Sequence, residues 1–293
     1  MTTLEAHDLF NVRGMVFLVT GGGSGIGAMI AKALAANGAA KVYIMGRRKE
    51  KLEETASCSS IIVPIQGDVG SKLSLKACAD EVASQIPFVN TVIACSGAQG
   101  PTVTDIPKDR TPSILELHEF LWKPSMEDFD EAFHVNSTGM FYTMVAFLPL
   151  LDAGNTHSLS STVGTTVSSQ FLVIGSIGAY SKKPGMGFAY AGSKAAAILM
   201  VKQIATLMVP YNIRANMLNP GIYPSDMSAA FLAGKDATQP GSLPQSVVPS
   251  MRAGSGEDMA GAILFMCSKA GAYINSNVIN SDGGRLAIVP STF

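Results

Sequence analysis

The chain has 293 residues, of which 47% are apolar and only 15% charged, with 21 Lys and Arg against 22 Asp and Glu. This length suits one large domain with a substantial core, and so apolar a composition excludes an intrinsically disordered chain. The near-zero net charge disfavours a general nucleic-acid binder. Because so few residues are charged, we expect part of the surface to be covered by assembly into a homodimer or homotetramer.

The first 13 residues do not combine a basic stretch with an apolar one, so no secretory signal is predicted. The sequence contains no run of 18 apolar residues, so no membrane span is predicted. The four cysteines show no CxxC spacing, which favours a reducing, cytoplasmic location. The four histidines show no metal-ligand spacing, and no metal site is predicted.

Short β-rich runs alternate with helical runs along the chain. The predicted strands are 15–19, 41–45, 61–66, 89–94, 171–175, 213–218 and 275–280. The predicted helices are 28–37, 49–56, 73–85, 126–151, 188–209 and 257–267. Apolar strands separated by helices are typical of parallel βαβ units. We therefore predict a single α/β domain over 1–293, a Rossmann-type doubly wound parallel sheet of about seven strands with helices on both faces.

Three segments, 98–125, 153–170 and 221–256, are longer than ordinary connections. Each adjoins a strand near the carboxyl edge of the sheet, where such folds bind ligands. We expect these insertions to build a pocket and its lids. For the Ser-, Thr- and Gly-rich part of the second segment, 155–169, a disordered surface insertion is an open alternative.

A glycine-rich loop, TGGGSGIG at 20–27, follows the first predicted strand and opens the first predicted helix. Glycines let a backbone approach a ligand closely, and a helix N-terminus offers free N–H groups and a positive dipole end to a pyrophosphate. The strand–loop–helix context is the one in which this motif binds a dinucleotide. Its candidate cofactor-binding residues are Gly21, Gly23, Ser24, Gly25, Ile26 and Gly27.

The second predicted strand ends in Gly46-Arg47-Arg48, where an NAD-preferring fold carries an acidic residue on the ribose 2′-hydroxyl. With no carboxylate at this position to repel a phosphate, and with Arg47 able to pair with it bidentately, NADP(H) is the predicted cofactor. A solvated basic turn is the alternative, for Arg48 above all. Asp68-Val69 follow the third predicted strand, where the Asp68 carboxylate could accept from the adenine amino group or cap the next helix.

Tyr190 and Lys194 are four residues apart near the start of a predicted helix and so share one face. An ammonium near a phenol lowers the pKa of the phenol, which would make Tyr190 an acid–base group near neutrality. Ser176 follows the fifth predicted strand, where its hydroxyl could hold a substrate carbonyl oxygen. Asn136 lies inside the long predicted helix, which an amide does not favour, so we expect it to have a function. Asn219 begins an Asn-Pro-Gly turn after the sixth strand.

Together these motifs resemble the short-chain dehydrogenase/reductase family, in family order and over about residues 12–284. The resemblance implies that Tyr190 gives the proton to the carbonyl oxygen. It implies that Lys194 binds the nicotinamide ribose and lowers the Tyr190 pKa, and that Ser176 orients the substrate. Asn136 would carry a water-mediated proton relay to Lys194. Family members commonly form dimers or tetramers through their two long helices.

The resemblance also extends the expected cofactor site. Asp68 and Val69 would flank the adenine, and Ile222 would reach the nicotinamide carboxamide. Ser225 stands near the position where many members have a threonine beside the pyrophosphate. The other residues carried over are Ser96, Gly97, Pro220 and Gly221.

One departure from the family lies after the fourth predicted strand. Members commonly carry Asn-Asn-Ala-Gly there, whereas this chain has Ala94-Cys95-Ser96-Gly97. Because the missing first asparagine braces the sheet, we expect a local effect on stability, with an altered nicotinamide pocket as the alternative. Cys95 is interpreted as a small core residue rather than a reactive thiol.

These observations predict an NADPH-dependent oxidoreductase, a ketoreductase or alcohol dehydrogenase acting on a bulky, mostly apolar small molecule. The chain resembles fungal members of the family, which often act in secondary metabolism. Two alternatives are a non-redox enzyme on the same scaffold (a cyclase, isomerase or dehydratase) and a nucleotide-sensing binding protein without turnover.

Overall fold

The computed structural model describes residues 4–104, 106–107, 109–160, 167–232 and 236–293, and its strands form one parallel sheet. The strands are β1 (Val16–Thr20), β2 (Lys41–Gly46), β3 (Ile62–Gln66), β4 (Thr91–Ala94), β5 (Gln170–Ile174), β6 (Arg214–Pro220) and β7 (Val278–Ser281). Their order across the sheet is β3-β2-β1-β4-β5-β6-β7. Chain order therefore reverses between β1 and β4, which is where a doubly wound sheet opens a ligand crevice.

Helices cover both faces of the sheet. They are α1 (Ala6–Leu9), α2 (Gly25–Ala36), α3 (Lys49–Ala56), α4 (Lys72–Gln85), α5 (Ile114–Trp122), α6 (Met126–Phe133), α7 (Met140–Ser160), α8 (Phe188–Leu207), α9 (Ala229–Leu232) and α10 (Gly256–Cys267). A π-helical turn, His134–Gly139, joins α6 to α7. The predicted fold class, a Rossmann-type doubly wound sheet of seven parallel strands, is confirmed.

The two cores follow from the alternation of side chains along the strands. In β1, Val16 and Leu18 enter a cluster with side chains of α4, α7 and α8. Phe17 and Val19 enter a separate cluster with side chains of α2 and α10. Every residue of β1 is buried, so β1 carries apolar side chains on both faces of the sheet and its sequence does not alternate between apolar and polar residues.

Several element bounds differ from those predicted. The predicted helix 126–151 is interrupted by the π-helical turn and continues to Ser160, so the first part of the predicted segment 153–170 is helical. Residues 161–166 of that segment lie outside the described residues. The segment 98–125 contains α5, which was not predicted, and 221–256 contains the short α9.

The last strand begins three residues later than predicted. Ser276 has a φ of 60°, a left-handed conformation that a strand does not accommodate, so β7 starts at Val278. Across the described ranges, none of the helices combines the length and apolar character that crossing a bilayer requires.

Candidate active site

A cleft of about 470 Å³ lies at the carboxyl ends of the central strands, within the size range of cofactor and small-molecule sites. Its walls come from the loops after β1, β2, β3, β4 and β5, from α8, and from the segment after β6. The lining residues are Gly21, Gly23, Ser24, Gly25, Ile26, Gly27, Gly46, Arg47, Arg48, Lys51, Leu52, Gly67, Asp68, Val69, Cys95, Ser96, Gly97, Val135, Ile174, Gly175, Tyr190, Lys194, Ser225, Asp226 and Met227.

The glycine loop forms one wall of this cleft and leads directly into α2, which begins at Gly25. Gly21 and Gly25 have φ of 69° and 51°, which only glycine adopts readily. A Cβ at Gly27 would lie 2.2 Å from the Gly21 carbonyl oxygen, so no other residue fits this turn. The loop therefore presents bare backbone at a helix N-terminus, the arrangement that holds a pyrophosphate.

Two arginines follow β2 at the same end of the cleft, and both are exposed. Arg48 Nη2 donates to Ser24 Oγ and to Asp226 Oδ2, each at 2.8 Å. Arg48 is therefore in an ion pair with Asp226, although 54% of the Arg48 side chain and 69% of the Asp226 side chain are exposed. The expectation that no carboxylate lies here needs correction, because Asp226 reaches this place from the segment after β6.

Asp68 lines the adenine end of the predicted site together with Val69. Its Oδ1 accepts from the Gly70 backbone N–H at 2.9 Å. The residue that caps α4 is Ser71, whose hydroxyl accepts from the Ser74 N–H. The alternative role of Asp68 as a helix cap is therefore wrong, and its carboxylate remains at the cleft wall.

Tyr190 and Lys194 lie on one face of α8 and are both buried. Lys194 Nζ is 5.9 Å from the centroid of the Tyr190 ring and donates to the Ile174 carbonyl oxygen at 3.0 Å. The Ser176 and Tyr190 side chains lie close together beside Gly178, where a Cβ would be 3.2 Å from Ser176 Oγ and 3.4 Å from Tyr190 Cε1. The phenol, the ammonium group and the hydroxyl that the sequence singled out therefore come together at the carboxyl end of β5.

Burial is the largest influence on the pKa values of Tyr190, Lys194 and Cys95. It raises the pKa of Tyr190 above its ordinary value, partly opposed by the hydrogen bond from Ser176. It lowers the pKa of Lys194 to about 8 and raises that of the Cys95 thiol to about 12. The expectation that Lys194 lowers the Tyr190 pKa is not met in this structure, because burial dominates. The high Cys95 pKa agrees with a packed thiol rather than a nucleophile.

Asn136 sits within the π-helical turn and is buried. Its Nδ2 donates to Ala98 O at 2.8 Å and to Ser193 Oγ at 3.0 Å, and its Oδ1 accepts from the Ala98 N–H at 2.9 Å. The amide thus ties the loop after β4 to α8. Its side chain is used for this bracing, so the proposed proton relay finds no support in the side-chain contacts. Insertions of this kind in helices often mark functional sites.

Ser176 is fixed by a residue whose role the sequence did not reveal. Asn219, at the end of β6, is fully buried and its Oδ1 accepts from the Ser176 N–H at 3.0 Å. Its Nδ2 donates to Asn280 Oδ1 at 3.3 Å. This contact could have been predicted from the sequence. β5 and β6 are neighbours in a doubly wound sheet, and a polar residue at the buried end of a strand needs a hydrogen-bond partner.

Five predicted site residues do not line the cleft: Asn136, Ser176, Pro220, Gly221 and Ile222. The Gly221 N–H donates to Ser281 O at 2.9 Å, and Gly221 is packed against Asp282. Ile222 packs into a small separate cluster, and Pro220 is buried at the end of β6. Their predicted contacts with the nicotinamide have no support in this geometry. Ser225 does line the cleft, as predicted.

The loop after β4, where Ala94 replaces the asparagine common in the family, is bonded to the end of β1. Thr20 Oγ1 accepts from the N–H groups of Cys95 and Ser96, both at 3.1 Å. Gly97 keeps the approach open, since a Cβ there would lie 3.3 Å from Asn136 Oδ1 and 3.8 Å from Lys194 Nζ. Within the described residues, no group of three or more His, Cys, Asp or Glu side chains could hold a metal ion.

Comparison with known proteins places this geometry in context. A family model described as "Enoyl-(Acyl carrier protein) reductase" matches residues 21–285. The chain is 43% identical over 295 residues to the short-chain dehydrogenase/reductase PhomF of Diaporthe leptostromiformis, covering 99% of this chain and 98% of that protein. It is 37% identical over 274 residues to the short-chain dehydrogenase/reductase SAT3 of Stachybotrys chartarum, covering 90% and 100%. The solved Pseudomonas aeruginosa RhlG/NADP active-site complex aligns with a TM-score of 0.76 at 27% identity, covering 95% and 98%.

Proposed function

The chain belongs to the short-chain dehydrogenase/reductase family, and we propose that it is an NADPH-dependent oxidoreductase that reduces a carbonyl group of a small molecule. The observation that carries this proposal is the meeting of Tyr190 and Lys194, with Ser176 beside Tyr190, at one end of a cleft whose other end is built from a glycine loop and two arginines. The reverse oxidation of an alcohol uses the same groups.

Tyr190 is the proton donor in this proposal. Because its pKa lies above the ordinary phenol value, Tyr190 holds its proton at neutral pH, as a general acid must. The Ser176 hydroxyl, which lies close to the Tyr190 ring, is placed to hold the same substrate oxygen. Below a pH of about 8 Lys194 is charged, and its Nζ, 5.9 Å from the centroid of the Tyr190 ring, is placed to bind the nicotinamide ribose in this proposal.

The cofactor fits the residues present. Gly21, Gly25 and Gly27 form a cradle that any Cβ would disturb, and Arg47, Arg48 and Ser24 offer donors suited to a 2′-phosphate. When bound, NADPH supplies the hydride for the carbonyl carbon. The similarity to a solved NADP complex agrees with this choice of cofactor.

The substrate in this proposal is bulky and mostly apolar, such as a polyketide, terpenoid or alkaloid intermediate of secondary metabolism. The long segment 221–256 supplies Ser225, Asp226 and Met227 to the wall of the cleft, and part of the segment 98–125 lines a second cavity of about 590 Å³. Met227, from the first of these segments, lines the cleft with an adaptable apolar side chain. Both relatives named above come from fungi, as the resemblance to fungal members of the family led us to expect.

We further propose that the chain is a single domain, forms a homodimer or homotetramer, and works in the cytoplasm. Val145 on α7 and Leu199 on α8 are 42% and 60% exposed, so the long helices offer apolar side chains for self-association. The four cysteines are all free, as a reducing compartment would keep them. A solution mass of two or four times 30.6 kDa would support the assembly, and a mass of 30.6 kDa would oppose it.

The proposal is tested with a panel of ketones and aldehydes, following the absorbance of reduced nicotinamide. The wild type should oxidise NADPH only when a carbonyl compound is present. Tyr190→Phe should keep NADPH affinity within about twofold and lose most turnover, because only the proton donor is removed. Unchanged turnover in Tyr190→Phe, or product formed without NADPH, would refute the proposal.

A further inference from the structure

A carboxylate accepts hydrogen bonds from two of the side chains that the proposed function assigns to the 2′-phosphate of NADPH. Asp226 Oδ2 lies 2.8 Å from Arg48 Nη2 and 3.4 Å from Ser24 Oγ, which donates to it. Arg48 also donates to Ser24 Oγ at 2.8 Å, so the three side chains form a closed triangle. Phosphate oxygens take the same guanidinium and hydroxyl donors. The carboxylate therefore holds the donors that a 2′-phosphate would use.

Asp226 is held in this position by its own turn. The Ser225 N–H donates to Ser228 Oγ at 2.9 Å, and Ser228 Oγ donates to Tyr223 O at 2.6 Å. Tyr223 is buried, and its hydroxyl is 2.6 Å from Ser281 Oγ. This network anchors the turn to the end of β7. The turn also contacts the glycine loop, since a Cβ at Gly25 would lie 2.9 Å from Ser225 Cβ.

The charge of Asp226 persists at neutral pH. The hydrogen bond from Arg48 lowers the pKa of this carboxyl below its usual value. Of the described residues that line the cleft, Asp226 and Asp68 alone carry carboxylates, and Asp226 is the one paired with the arginine. A doubly charged phosphate next to it meets repulsion, whereas a ribose 2′-hydroxyl meets a hydrogen-bond acceptor.

We propose that Asp226 sets the preference between the two nicotinamide dinucleotides: it competes with a 2′-phosphate for Arg48 and Ser24, and accepts a hydrogen bond from a 2′-hydroxyl. It thus supplies, from the segment after β6, the acidic group that the end of β2 lacks. The inference rests on the proposed function, within which it makes NADH a usable second cofactor. Arg47, which has no such carboxylate partner among the described side chains, remains for the phosphate.

The test measures dissociation constants of NADPH and NADH by fluorescence titration. Asp226→Asn keeps the size of the side chain and one oxygen acceptor but removes the charge. Repulsion between two unit charges in contact in water weakens binding about fivefold. Because a phosphate carries more than one negative charge, its repulsion by Asp226 should weaken NADPH binding about tenfold. The ratio of the NADH to the NADPH dissociation constant should therefore rise about tenfold in Asp226→Asn.

Asp236→Asn is the matched control, because it removes the same charge from an exposed aspartate of the same segment that lies outside the cleft. Its ratio should stay within about twofold of the wild type. An unchanged or lower ratio in Asp226→Asn, or an equal rise in Asp236→Asn, overturns the inference. The proposed cofactor is tested separately by the wild type and Arg47→Ala, so its failure would be visible without Asp226→Asn.

Discussion

Replacing Asn219 by alanine tests how the chain places its catalytic hydroxyl. The fully buried Asn219 amide is the acceptor for the Ser176 N–H at 3.0 Å, and a Cβ at Gly175 would lie only 2.0 Å from Asn219 Oδ1. Losing this acceptor leaves a partly buried donor without its partner, which costs about 1–3 kcal/mol. For a chain of this size we expect the Tm to fall by roughly 2–5 °C. Since Ser176 is freed to move, turnover should fall between about tenfold and a hundredfold.

The matched control is Asn280→Ala, which removes the other partner of Asn219 and leaves Ser176 bonded. Thermal melts and carbonyl-dependent oxidation of NADPH, measured on both variants, separate the two effects. NADPH affinity should be unchanged in both, because neither residue lines the cleft. The reasoning is refuted if Asn219→Ala matches Asn280→Ala in both Tm and turnover.

The remaining predictions concern charge. Arg47→Ala should weaken NADPH at least tenfold more than NADH in titrations, because it removes a partner of the 2′-phosphate; equal weakening would contradict that role. For Lys194, the folded pKa of about 8 lies below the ordinary 10.5, so the unfolded chain binds more protons between these values and wild-type stability rises with pH across this window. In urea denaturation, the free energy of unfolding of Lys194→Met minus that of the wild type should therefore be about 2 kcal/mol larger at pH 7 than at pH 9.5. A difference that does not change with pH would show that the pKa of Lys194 is not lowered by folding.

Local sequence patterns predicted the parts of the site that depend on neighbours along the chain. The glycine loop, the arginines after β2 and the four-residue spacing of Tyr190 and Lys194 are each contained in one element and its adjoining turn. Strands β1 and β5, which precede parts of the site, are buried on both faces, so runs of apolar residues predicted their positions well. Because parallel strands end at one edge of the sheet, the topology then brought these groups together.

Contacts across long sequence separations were not predictable in this way. Asp226 meets Arg48 across 178 positions, and nothing near either residue indicates the other. The π-helical turn around Asn136 inserts a residue into a helix without changing the type of residues in it. The spacing of apolar residues therefore does not predict this turn. Helix α5 did have a signal that was missed, since Ser113 and Glu116 form a capping box.

The most direct test of the central claim follows the hydride itself. The wild type would be given NADPH deuterated at the transferring position of the nicotinamide, together with a ketone that it consumes, and the alcohol product would be analysed by mass spectrometry. The account predicts one deuterium on the carbinol carbon, and little product from Tyr190→Phe under the same conditions. Product without deuterium, or equal product from both proteins, would contradict it.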